Sequence, residues 1–156
     1  MKSRHIANAW IAILVTVLIT ACGRYKHKFR QSSITMEKTP CFGMCPIYEM
    51  TIQGNGQGYL NNKRFTKTIG EFKHTFSPDE VEDLFDQLSE MDWTSYKDEY
   101  PTDVTDLPGT RLHFVHKKID KQVYVPGGAE IPENLESLIR QLEKIAEQSS
   151  WAGVEI

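Results

Sequence analysis

The apolar residues between positions 34 and 145 keep two different periods, and that switch constrains the fold more than any other feature of the chain. Ile34 and Met36, then Ile47, Tyr48, Met50 and Ile52, lie in short segments with apolar alternation, the repeat of strands that bury one side. Phe65, Ile69, Phe72 and Phe76 continue the β-rich region, with Asn61-Asn62 and Gly70 expected at turns. Val81, Leu84, Phe85, Leu88 and Met91 then recur at helical spacing and give one apolar stripe to lay against a sheet. Ser77-Pro78-Asp79-Glu80 writes the start of that helix: Ser77 can cap, Pro78 suits the first helical position, and Glu80 completes a capping box. Ser77 is thereby accounted for as a cap and not as a nucleophile. The helix should end near Asp92. Residues 111–116 and 122–125 read as a strand pair around a turn at 118–120, and Pro126-Gly127-Gly128 breaks the pattern. Leu135, Leu138, Ile139, Leu142 and Ile145 mark a second amphipathic helix, with Glu136 and Arg140 spaced for an i,i+4 pair.

The order ββββ-α-ββ-α predicts an α+β domain: an antiparallel sheet of about five to six strands with two amphipathic helices packed on one face. The other face is then wet or left to a partner. A chain of 156 residues with 40% apolar and 25% charged residues has the length and composition for one core and little room for two.

Ahead of this domain stands an address. Lys2, Arg4 and His5 precede an apolar run over residues 9–21 in which only Thr16 and Thr20 are mildly polar. The run is shorter than the roughly 18 to 20 residues that cross a bilayer as a helix. It ends Ile19-Thr20-Ala21-Cys22, which resembles the bacterial lipobox: an aliphatic residue, two small ones, then the cysteine that is acylated after cleavage. The alternative is an uncleaved signal anchor in which Cys22 is a bystander. Arg24, Lys26, Lys28 and Arg30 follow as a basic tether, suited either to anionic headgroups or to solvent. Gly23 stands where enteric-type sorting places the aspartate that retains lipoproteins at the inner membrane, so the outer membrane is favoured. The boundaries that follow are a signal peptide over 1–21, a lipidated tether over 22–32, the α+β domain over 33–148 and a tail over 149–156. Removing 1–21 takes Lys2 and Arg4 from a chain of formal charge -3, leaving about -5, a balance that argues against nucleic acid as the partner.

Cys41-Phe42-Gly43-Met44-Cys45-Pro46 is the one segment with chemistry of its own. Extended chain would hold Cys41 and Cys45 roughly 13 Å apart, so bridging them requires a turn. Gly43, Pro40 and Pro46 supply turn-forming chain. Outside the cytoplasm such a pair normally oxidises, which favours a structural disulfide. Two other readings stay open. Dithiol exchange of the thioredoxin kind needs a helix N-terminus to lower the thiol pKa, and here the strand-like Ile47-Tyr48-Glu49-Met50 follows. C-x-x-x-C-P also resembles the motif of copper-delivery proteins of cytochrome oxidase assembly, where two thiolates and a distant histidine hold copper. Soft Cu(I) suits such ligands, and His74, His113 and His116 are the candidates for the third, with zinc or another metal as a variant of the same idea.

The remaining signals are weaker. Gly54-Asn55-Gly56-Gln57-Gly58 is glycine-rich, yet no helix follows to face a phosphate, so a hairpin turn is expected. His113 and His116 are an odd number of positions apart on an expected strand and should point to opposite faces. Asp98, Glu99, Asp103 and Asp106 cluster near Pro101 and Pro108 without the spacing of a calcium loop and read as a solvated acidic loop.

From about position 34 to 145 the chain resembles a family of small exported bacterial proteins, frequent in Bacteroidota, catalogued as a domain of unknown function. The resemblance rests on Thr39-Pro40-Cys41-Phe42-Gly43-Met44-Cys45-Pro46-Ile47-Tyr48, Gly54-Asn55-Gly56, Lys97-Asp98-Glu99-Tyr100 and Thr105-Asp106-Leu107-Pro108. It implies that cysteines, turn and acidic loop belong to one domain type and brings no activity or cofactor with it. The expectation is a lipoprotein of the cell envelope whose domain is a non-enzymatic interaction or structural module. It meets the membrane through the lipid on Cys22 and has an envelope protein as its other expected partner. The only group it carries is that covalent lipid. The rival class is a thiol-based copper or redox protein using Cys41 and Cys45. A hydrolytic enzyme is the third class, and it would need a pocket gathering residues that are not neighbours in the chain.

Overall fold

A computed structural model describes residues 28–148 and 150–154. The expected signal peptide, Cys22 and the first part of the tether lie outside the described residues. Seven strands and two helices follow in the order β1 Ser33–Lys38, β2 Ile47–Gln53, β3 Gln57–Arg64, β4 Gly70–Thr75, α1 Pro78–Glu90, β5 Thr110–His116, β6 Ile119–Val125, α2 Glu133–Ala146 and β7 Ala152–Gly153. All strands join one antiparallel sheet in the order β6-β5-β1-β2-β3-β4-β7. The α+β architecture with an antiparallel sheet and two helices is as expected, but the sheet is larger, because a seventh strand forms after the second helix.

Period-two alternation determines which face is sealed. Ile34 and Met36 of β1 stand opposite Ile52 and Met50 of β2 on one side and Phe114 and Leu112 of β5 on the other. All six are buried. They join Val81, Leu84, Phe85 and Leu88 of α1 and Leu135, Leu138, Ile139 and Leu142 of α2 in one core, so both helices lie on the same side of the sheet. α1 begins as its sequence dictates: the Ser77 hydroxyl accepts from the Glu80 N–H, and the Glu80 carboxylate accepts from the Ser77 N–H. Those bonds satisfy N–H groups that the first turn leaves without helical partners.

The opposite face carries polar side chains paired with one another. Thr35 and Thr51 share a hydrogen bond of 2.9 Å between β1 and β2. Lys63 reaches Glu49 at 3.1 Å and Glu37 at 3.4 Å, and Arg111 lies 3.8 Å from Glu37 and over the Tyr124 ring. The Glu49 hydrogen bond is the chief reason that the Lys63 ammonium is held above its ordinary pKa. This face is wet, as an antiparallel sheet allows.

Two expectations change. Asn61-Asn62 is not a turn: β3 runs through both residues, pairing them with Glu49 and Tyr48 of β2 and with Glu71 and Gly70 of β4. The reversal falls later, after Phe65, whose φ of 55° is left-handed. The β5–β6 turn is likewise tighter than 118–120, with Lys117 at φ 52° and β6 already begun at Ile119. Packing also extends past both ends of the span 33–148. Phe29 and Ser32, assigned to the tether, are buried, and Phe29 packs against Phe85 at 5.5 Å between ring centroids. Lys28 pairs with Asp86 of α1. At the other end Trp151, assigned to the tail, packs on Phe76 and donates its indole N–H to the Ile145 carbonyl, which carries the chain into β7.

The incoming segment is clipped to the β2–β3 turn: Gly54 N–H donates to the Ser32 carbonyl at 2.8 Å, and a Cβ on Gly54 would lie 1.8 Å from the Phe29 carbonyl oxygen. Gly54→Ala should therefore cost about 1–3 kcal/mol by forcing residues 29–32 off the turn. Ser77→Ala should cost about 1 kcal/mol through loss of the cap. Urea unfolding followed by tryptophan fluorescence checks both, and a Gly54→Ala protein as stable as the parent would refute the clip.

Candidate interaction site at the cysteine-loop end

Strand directions bring four loops to one end of the sheet, one of them residues 126–132 after β6, which pack against the acidic loop. β1 ends at Lys38 beside Tyr48 of β2 and Thr110 of β5, so the β1–β2 loop, residues 39–46, emerges there. The β3–β4 loop, residues 65–69, emerges at the same end, as does the acidic loop that leads into β5. Thr39 joins the β1–β2 loop to the acidic loop, donating its N–H to the Gly109 carbonyl at 3.0 Å and accepting the Gly109 N–H on its hydroxyl at 2.9 Å. Gly109 permits this approach, since a Cβ there would meet the Tyr124 ring at 2.7 Å. Phe42 N–H also points to the Asp106 carbonyl, at 3.4 Å.

Within the loop, Cys41 and Cys45 sit at disulfide distance, their Cα atoms 5.9 Å apart. That separation lies inside the range for bridged cysteines. The chain between them bows outward and leaves Phe42 93% exposed and Met44 83% exposed. β2 follows the motif, so the chain does not run from Cys45 into a helix whose N-terminus would lower a thiol pKa.

The histidines do not complete a metal set with this pair. His74 pairs with Gly58 near the far end of β4, four positions from Gly70 and roughly 13 Å along the strand from the cysteine-loop end. It hydrogen-bonds the Ser150 carbonyl and packs edge-on against Phe76. His113 lies on the wet face 2.7 Å from Asp120, while His116 is buried on the core face, again away from the cysteines. No group of three His, Cys, Asp or Glu side chains that could hold a metal occurs among the described residues. The Cys41, Cys45 and His74 alternative is therefore not supported by the geometry, because strand β4 carries the histidine to the opposite end of the sheet. Of the acidic cluster, Asp98 pairs with Lys121 through its side chain and accepts the Tyr124 N–H on its carbonyl, while the Tyr100 N–H donates to the Tyr124 carbonyl, so the loop serves to cover that edge strand.

Beside the cysteine loop opens a groove of about 720 Å³ between the sheet and α2, floored by Tyr48, Leu60 and Phe72 and walled by Phe65 and Trp151. Lys38 crosses its edge, 2.6 Å from Glu143 and 2.9 Å from the Thr110 hydroxyl. Burial first, and then the carboxylates of Glu143 and Glu147, hold the Tyr48 phenol well above its ordinary pKa, so it remains a neutral hydroxyl. Sequence reasoning did not anticipate this groove or the exposure of Phe42 and Met44. The signal for the latter was present: two large apolar residues between flanking prolines belong to neither period and have no element to carry them inward.

An antiparallel sheet covered by two helices on one side, with loops gathered at one strand end, defines a two-layer α+β domain. The chain belongs to the family described as Domain of unknown function (DUF6438), which matches residues 32–146. The match begins at the clip before β1 and ends with α2, and it takes in the cysteine loop and the acidic loop. No curated protein matches the chain.

Two outcomes are expected. Intact mass of the protein alkylated without reductant should show Cys41 and Cys45 protected and a gain of two labels after reduction, and the Cys41→Ser/Cys45→Ser protein should lose about 2 kcal/mol of stability. Free alkylation of both thiols in exported protein would refute the bridge. The second concerns His116, whose imidazole is held below its ordinary pKa by burial and, secondarily, by the charges of Lys117 and Lys28. The unfolded chain takes up that proton first, so this contribution is whole above about pH 6.5 and is lost on acidification toward the lower folded value. His116→Gln should flatten the stability profile between about pH 7 and 5, read from urea midpoints.

Proposed function

We propose that this chain is an exported lipoprotein of the cell envelope, anchored by lipid on Cys22, whose domain is a non-enzymatic module that engages a protein partner through the cysteine-loop end. The observation that carries the reading is the polarity of the molecule. Residues 28–32 enter the sheet at the end where β1 begins, while Phe42 and Met44 project from the end where it finishes. The lipobox-like Ile19-Thr20-Ala21-Cys22 lies only a few residues ahead of that entry. An anchor on Cys22 thus holds one end near the bilayer and presents the other. Two or more acyl chains on the cysteine supply firm attachment, each buried methylene contributing about 0.8 kcal/mol. Gly23 supports residence at the outer membrane.

The wet face supports an interaction module less well than the loop end does, since its charges are already matched across strands. The loop end combines large exposed apolar side chains with a groove of ligand-binding size. Cells expressing the full chain and fed radiolabelled palmitate should yield a labelled product beginning at Cys22 in the membrane fraction, and Cys22→Ala should abolish the label. An unlabelled product that keeps its initiator methionine in the soluble fraction would overturn the reading.

A further inference from the structure

Six large apolar side chains stand exposed on three of the loops at one sheet end: Phe42 and Met44, Phe65 and Ile69, Val104 and Leu107. Strand order arranges those loops in a row. The acidic loop sits over β5 and β6, the cysteine loop over β1 and β2, and the β3–β4 loop over β3 and β4. Charge follows the same row. Asp103 and Asp106 are exposed at one flank, Arg64 and Lys67 at the other, and the cysteine loop between them carries no charge.

A row that reads acid, apolar, base is complementary to itself under a two-fold rotation. Turned about an axis perpendicular to the sheet, the acidic flank of one copy meets the basic flank of another at both sides, and the apolar centre meets itself. That is the pattern of an isologous contact. We infer that this end of the domain docks against the same end of a second copy of this chain. The inference rests on the reading of the loop end as an interaction surface and names its partner. A shallow notch of about 410 Å³ between Pro40, Phe42, Ile47, Arg64 and Phe65 provides a seat for a projecting side chain such as Met44 of the other copy. The row spans about five inter-strand spacings, roughly 24 Å, which suits a small, reversible interface. An anionic lipid surface fits the row poorly, because Asp103 and Asp106 would face like charge.

The test uses the full chain with its leader, made in a bacterium, with the photo-crosslinking residue p-benzoylphenylalanine in place of Met44. Irradiation should give a product of twice the chain's mass, with position 44 joined to residues 64–69 of the other copy. Arg64→Glu/Lys67→Glu and Asp103→Lys/Asp106→Lys should each lower that yield roughly tenfold, since each makes both flanks repulsive. Two differently tagged chains, one carrying each charge pair reversed, should crosslink to each other at close to the original yield. All four positions are exposed, and far-UV circular dichroism verifies that each variant is folded. A yield indifferent to charge reversal, or failure of the two reversed chains to pair, overturns the inference. Crosslinks to another envelope protein and never to a second copy overturn self-association while leaving an interaction module in place. No protein crosslink from position 44 at all overturns both.

Discussion

Strand β1 is hydrogen-bonded along both edges, and the rest of the structure depends on that double pairing. β2, β3 and β4 follow one another as hairpin neighbours, and β5 and β6 form a hairpin of their own. Only the register of β1 with β5, from Ser33 against Val115 to Lys38 against Thr110, joins the two groups into one sheet. The pairing closes over a long stretch of chain that includes all of α1, which is entropically costly, and burial must offset it. Ile34 and Met36 supply that burial because each faces apolar partners on both neighbouring strands and the helices behind them. A shift of one residue would turn both toward water, so the same alternation fixes the register.

Placement of the loops is a consequence of this register. β1 pairs antiparallel with both neighbours, so its C-terminal end necessarily gathers the start of β2 and the start of β5. The cysteine loop and the acidic loop, separated by more than half of the domain's sequence, become neighbours through Thr39 and Gly109. Fixing the base of a short loop at Thr39 and at the strand start of Ile47 leaves its middle nowhere to go but outward. A large apolar side chain left in water forfeits about 1.5–3 kcal/mol relative to burial. That forfeit, taken twice at Phe42 and Met44, comes to about 3–6 kcal/mol and exceeds the roughly 2 kcal/mol that closing the loop by a disulfide would contribute. The loop is thus stabilised as a shape and not as part of the core.

Much of this was legible in the residues. Ser77 through Glu80 specified the start of α1 because capping is local chemistry, and the stripe of Val81, Leu84, Phe85 and Leu88 specified its buried face. His113 and His116 divided between faces as their spacing required. What was not legible came from tertiary pairing. Asn61 and Asn62 favour turns in isolation, but strands on both sides supply their backbone partners, and propensity yields to that ladder. Trp93, Tyr96 and Tyr100 lie in an irregular segment with no period to announce them, yet all three are buried, Trp93 stacked on Phe114 with its N–H on the Leu88 carbonyl. The cysteine pair was visible at once, whereas the company it keeps at the sheet end depended on β1–β5 register, which no short-range pattern encodes.

The two ends of the sheet therefore differ in kind. At the entry end the chain is held closely: Phe29 against Phe85 and His116, Ser32 to His116 at 2.7 Å, and Gly54 under the Phe29 carbonyl. These interactions are short-range and internally satisfied, so a pull on the chain at Lys28 meets a braced point of the core and not a free strand end. At the loop end apolar surface and opposite charges are left facing outward. A domain tethered by its braced end keeps the unsatisfied one available in every orientation that the tether permits, and the proposed anchor and the proposed docking surface do not compete for the same side of the molecule.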